Sequence, residues 1–199
     1  MARTTLTPEL KKAILELPTK EKDKLLLRLL PSKRDLVKQL EFKLLEGGET
    51  TESRREELKK MIQKDLKTTS FYSPGYLLLD LRAYSGRITE HVKTTKDKLG
   101  EIELNFFMLN EAFDLFAEKL LAYKLHQSAT LNEYVVQRTL KLLKLLSKMH
   151  EDYHLEFRDS MRSLGAHFDK NAGLKLEAKQ AGLKLNWLLE GEVPETWEL

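Results

Sequence analysis

From Ile102 to Tyr123 the chain reads IELNFFMLNEAFDLFAEKLLAY. Within it Ile102, Phe106, Leu109, Phe113, Phe116, Leu120 and Tyr123 recur at alternating spacings of four and three. An α-helix turns once every ~3.6 residues, so this spacing aligns those side chains along one face. Phe107, Met108, Leu115 and Leu121 widen the apolar surface beyond a two-stranded seam. Such a width suits the core of a helical bundle better than a coiled-coil dimer, and it calls for long partner helices.

The flanking sequence offers those partners. Upstream, Ser73-Pro74 reads as a helix start, and Leu77, Leu81, Tyr84, Ile88 and Val92 then mark one buried face. Downstream, HQSAT (126–130) reads as a short connection, with Thr130 and Glu133 in capping-box spacing. A single helix is predicted from Leu131 towards Leu164, with a stripe that includes Val135, Leu142, Leu146, Met149, Tyr153 and Phe157. The expectation is a long antiparallel αα-hairpin.

The front of the chain is punctuated more often. Thr7-Pro8 caps a helix that Pro18-Thr19 ends, and a second helix runs to Pro31. Ser32, with Asp35 three residues on, reads as the cap of a third helix that Gly47-Gly48 terminates. Ser53 and Glu56 suggest the start of a fourth, reaching about Lys67. TTSFYSPGY (68–76) breaks the pattern and is the expected boundary between helical layers. Gly86 and Gly100 interrupt helical patterns, as a close helix crossing or a boundary would. Near the C-terminus AGLKL occurs at 172–176 and again at 181–185; a short helix with a tail is favoured there over a β-hairpin. The predicted architecture is all-α, with short N-terminal helical hairpins packed on a longer antiparallel helical bundle. Residues 1–67 form the short-helix layer, 68–76 the loop, 77–165 the bundle, and 166–199 the C-terminal segment and tail.

Composition narrows the chemistry. The 199 residues include 41% hydrophobic and 33% charged side chains, only nine Gly and five Pro, and no Cys. Thiolate catalysis, disulfides and cysteine metal sites are thereby excluded, and a reducing compartment fits. MARTTLTPELKKAILELPTK contains no apolar run of signal-sequence length, and no stretch approaches the ~18 apolar residues of a membrane span. The expected location is cytoplasmic, without membrane association.

One stretch spells a catalytic motif. KMHEDYH (148–154) contains H-E-x-x-H, which on a helix can place two imidazoles on one zinc ion with the glutamate as general base. His150 and His154 are the candidate metal ligands. The flanking Asp152 and Glu156 argue against a buried catalytic helix, because an unpaired charge in an apolar interior costs several kcal/mol. The extended metzincin pattern would need glycine and histidine where Phe157 and Ser160 stand. His167 is a conceivable third ligand that no spacing selects. Glu151 and His154 also spell E-x-x-H, but a di-iron bundle needs a second copy, and the sequence has none. The motif is therefore expected to be a solvated helix face, with no catalytic residue and no cofactor.

The densest basic zone includes Lys20, Lys22, Lys24, Arg28, Lys33 and Arg34, the candidate nucleic-acid contacts. Acids interrupt it and no aromatics interleave it, so a solvated surface is the leading account. Phe71, Tyr72 and Tyr76 are expected to plug one end of the bundle and Trp187 to join the core; Trp197 could anchor the tail or dock on another subunit.

LPTKEKDKLLLRLL, then KQLEFKLLEGG, then KLLSKMHEDY give residues 17–157 a resemblance to a group of all-helical bacterial proteins without an assigned activity. The resemblance implies a helical fold and contributes no chemistry. The functional expectation is a non-enzymatic interaction or scaffold protein with a protein partner, self-association included. A nucleic-acid-associated module is the alternative, and a zinc hydrolase through His150-Glu151-Asp152-Tyr153-His154 a more distant one.

Overall fold

The computed structural model describes residues 5–194, and these form ten α-helices and one 3-10 turn, with no strand among them. The fold class is all-α. The chain divides into two compact units, Met1–Gly48 and Glu49–Leu199.

The first unit holds α1 (Pro8–Glu16), α2 (Thr19–Leu29), the 3-10 turn Leu30–Ser32 and α3 (Arg34–Leu44). Thr7 caps α1 as predicted, its Oγ1 accepting from the Leu10 N–H at 3.3 Å ahead of proline at the first position. Ser32 does not cap α3. Its hydroxyl donates back to the Leu29 carbonyl at 2.7 Å inside the 3-10 turn, and Lys33 takes the N-cap position without a side-chain bond. Gly47 and Gly48 both adopt positive φ, 64° and 77°, which ends the unit where only glycine turns freely. Phe42 is the one buried residue among those described here.

The second unit comprises α4 (Thr51–Thr68), α5 (Pro74–Thr95), α6 (Lys98–Leu121), α7 (Leu125–Leu146), α8 (Glu151–Lys170), α9 (Ala172–Gln180) and α10 (Leu185–Glu190). The IELNFF segment is α6, and it lies at the centre, packed against α4, α5, α8 and, to a lesser extent, α7. Ile102, Phe106, Leu109, Phe113, Phe116 and Leu120 are all buried, as their spacing predicts. Burying six such side chains contributes roughly 9–18 kcal/mol towards folding, so α6 anchors the bundle.

The compact units divide after Gly48, so α4, which buries Ile62 and Leu66, belongs to the second. Three local expectations change. The Ser53–Glu56 cap is not used: α4 begins at Thr51, and the Ser53 hydroxyl donates to the Thr50 carbonyl. HQSAT is helical, so Thr130 and Glu133 lie inside α7, which Lys124 precedes. The predicted Leu131–Leu164 helix is two helices, interrupted at 147–150. Tertiary packing differs across the break: both helices touch α6 and α9, but α7 alone packs on α5 and α8 alone packs on α10.

The hairpin alternative at 172–189 is not formed. Asn171 Oδ1 accepts from the Gly173 and Leu174 N–H groups, so the first AGLKL opens α9. The second AGLKL ends it, with Gly182 at φ 75° and the Leu183 N–H bonded to the Ala178 carbonyl at 2.8 Å. One pentapeptide thus serves as a helix start and a helix stop, decided by the asparagine before the first copy. Trp187 is half-buried against the core, and Trp197 lies outside the described residues.

Candidate functional site

The H-E-x-x-H letters straddle the start of a helix. The N–H groups of Lys148 and Met149 bond the Leu145 and Leu146 carbonyls in 3-10 fashion, and His150 then turns extended at φ −62°, ψ 145°. His150 is the N-cap of α8, its Nδ1 accepting from the Asp152 N–H at 3.4 Å. His154 lies inside the helix, with Nε2 2.9 Å from the Leu146 carbonyl at the end of α7. The helical i, i+4 geometry that zinc requires is therefore not formed between them. The two imidazoles also line different clefts, His154 beside Arg158 and Trp187, His150 beside Met149 and Tyr153. Glu151 is exposed. His167 is distant in role as well, its Nε2 2.7 Å from Asp114 Oδ1 and its ring against Phe113. Among the described residues no group of three or more His, Asp or Glu side chains is placed to hold a metal ion.

The basic candidates of the first unit do not converge. Lys20, Lys24 and Arg28 follow one another along one side of α2, as i, i+4 spacing dictates. Lys22 points elsewhere and donates to the Leu15 carbonyl at 2.7 Å. Lys33 and Arg34 stand at the start of α3.

Of the aromatic cluster, Phe71 packs on Phe116 and Tyr123, whereas Tyr72 and Tyr76 stay exposed.

Sequence reasoning missed the strongest polar constellation. Asp97 caps α6 and joins three helices: Oδ1 accepts from Arg55 at 2.7 Å and from the Gly100 N–H at 2.9 Å, while Oδ2 meets Arg55 and His91 Nε2. Arg55 also reaches Glu103 at 3.0 Å, and Glu103 pairs with Lys59 at 2.6 Å. Burial alone would push the Asp97 carboxyl up. The hydrogen bonds from His91 and Arg55, the Gly100 amide and the Arg55 charge together hold it well below the usual carboxylate range. Gly100 is required here, since a Cβ would collide with the Asp97 carboxylate. Arg55 and Asp97 lie 42 positions apart, so no local pattern could have paired them.

This cluster fixes the turn that carries Lys96 and Lys98, and beside that turn lies a cleft of about 680 Å³. It is bounded by the end of α5, the start of α6, the end of α7 and the 147–150 turn. Val92, Ile102, Leu145, Met149 and Tyr153 give it an apolar floor. Lys93, Lys96, Lys98, Lys141, Lys148 and His150 surround that floor, and the single acid, Glu101, is held by Lys141 at 2.7 Å.

No family model matches this sequence, and neither the curated proteins nor the solved structures contain a match. No helix among the described residues is long and apolar enough to cross a membrane.

Proposed function

We propose that this chain is a non-enzymatic interaction protein that assembles through its N-terminal unit, with a second copy of the chain as the partner. The observation that carries this reading is the apolar surface of α1–α3. Helices of 9 and 11 residues are marginal in water unless an amphipathic face is packed. Yet ten Leu and Ile side chains in this unit are exposed, among them Leu15 at 73%, Leu27 at 70% and Leu45 at 81%.

The magnitude matches what a dimer needs. The exposed parts amount to about six fully exposed leucines, on the order of 9–18 kcal/mol if buried. Association costs ~4–15 kcal/mol in lost freedom, so the surface can support a stable pair. Charge suits self-association too: each helix carries both signs, as Lys12 and Glu16 do on α1, and Lys24 beside Asp23 on α2. A two-fold pairing can then set acid opposite base, which an isologous interface requires.

Sedimentation equilibrium between micromolar and hundred-micromolar protein tests the reading. Wild-type chain should shift from monomer to dimer, and Leu15→Lys/Leu27→Lys should remain monomeric with unchanged helicity. A wild-type chain that stays monomeric throughout would overturn it, and so would a dimer indifferent to both substitutions. The basic-surface alternative predicts nucleic-acid binding that falls steeply with salt and persists in the leucine variant.

A further inference from the structure

We propose that the cleft between the ends of α5 and α7 and the starts of α6 and α8 binds a small carboxylate amphiphile, an acyl anion. Its chain lies on the apolar floor and its head group meets the lysine rim. No residue of this cleft belongs to the N-terminal unit, so the inference is independent of self-assembly.

Charge is the first argument. From Glu49 onward the chain carries as many acidic side chains as basic ones to within one residue, yet this rim is almost wholly basic. Lys96, Lys98, Lys141 and Lys148 share the rim with one glutamate, which Lys141 already holds at 2.7 Å, while His150 faces the Asp152 carboxylate at 3.1 Å. Lysines drawn together against their mutual repulsion define a local positive field that a compact anion would relieve.

Backbone geometry is the second. Lys96 ends α5 in the left-handed region, at φ 64°, and is the only non-glycine residue with positive φ among those described. Glycine is the usual occupant of such a position, and a side chain there costs free energy. The strain places an ammonium at the cleft mouth, and Asp97, locked by Arg55 and Gly100, holds the turn in place.

The floor sets the other half of the ligand. A free phosphate or other bare anion would leave Val92, Leu145 and Met149 half-buried and uncovered. The methionine is unbranched and adaptable, and the lysine stems add flexible apolar cover, which suits a flexible chain better than a rigid ring. A volume of about 680 Å³ falls within the ~300–1,000 Å³ of small-molecule sites.

Calorimetric titration of the full chain with decanoate, decyltrimethylammonium and inorganic phosphate, each below any micelle concentration, tests the proposal. Decanoate should bind one to one, the cationic amphiphile of equal chain length about tenfold more weakly or not at all, and phosphate without saturation. Lys96→Gln/Lys98→Gln/Lys148→Gln should retain the wild-type melting temperature and bind decanoate at least ~3-fold more weakly, since each exposed charge contributes a factor of about 1.4–5. Equal binding of both amphiphiles would overturn the proposal, as would undiminished binding by the triple variant. Saturable phosphate binding of equal strength would also overturn it, leaving a simple anion site.

Discussion

Replacing Asp97 by asparagine removes one charge while keeping the shape of the α6 cap. The carboxylate is almost wholly buried, and Arg55, itself largely buried, donates two hydrogen bonds to it. Breaking a buried pair by deleting one partner costs ~3–5 kcal/mol. Arg55 keeps Glu103 at 3.0 Å and the asparagine carbonyl can still accept the Gly100 amide, which points to the lower end, about 3 kcal/mol. For a domain of this size that is a fall in melting temperature of ~6–12 °C. The effect carries a pH signature. Because the folded Asp97 carboxyl sits below its ordinary value of 3.8, its stabilisation is fully present above that pH. It is lost as pH falls through the lower, folded value. Urea denaturation followed by circular dichroism at pH 7, 4 and 3 should therefore show a gap between wild type and Asp97→Asn that is largest at pH 7 and narrows below pH 4. A gap under ~1 kcal/mol at pH 7 would refute the reasoning, because it is smaller than any buried ion pair lost. A gap that stays constant to pH 3 would refute the assigned protonation.

Other substitutions separate the structural roles of residues with similar sequence signals. Gly86→Ala, where a Cβ meets no atom within 4 Å, should raise stability by ~0.5–1 kcal/mol in thermal melts. Gly165→Ala should lower it by ~1–3 kcal/mol, because its Cβ would press to 3.0 Å on the Leu188–Leu189 backbone where α8 crosses α10. His150→Ala/His154→Ala should leave zinc uptake at equilibrium dialysis unchanged, since the two rings line different clefts; one zinc per chain, lost in the variant, would contradict this. The same variant should lose ~1–2 kcal/mol of stability, through the α8 cap and the His154 contact with the Leu146 carbonyl.

The apolar seam of α6 was legible because its periodicity is local and nearly every member is buried against another helix. The same holds for α5, whose Leu77, Leu81, Tyr84 and Ile88 form a single buried face. The break at 147–150 was not legible, because apolar residues keep helical phase across it and neither glycine nor proline marks it. The partners that the two helices do not share lie beyond local sequence: α7 alone packs on α5 and α8 alone on α10, while both touch α6 and α9. Cap letters misled for a related reason: Ser32, Ser53 and Thr130 have the right spacing, but each sits where tertiary packing begins the helix elsewhere. The candidate site was legible in fragments. His150 was singled out, but as a metal ligand, whereas the structure sets it on the rim of a cleft whose other walls come from positions 89–102 and 141–153. No linear pattern joins Lys96 to Lys148.

Hydrogen exchange read by mass spectrometry at 1 and at about 100 micromolar chain tests the central claim most directly. If α1–α3 complete their core on a second copy, their amides should exchange almost freely at the low concentration and gain protection at the high one. The amides of α5–α8 should be equally protected at both, because their core is already closed. Concentration-independent exchange in α1–α3 would contradict the account.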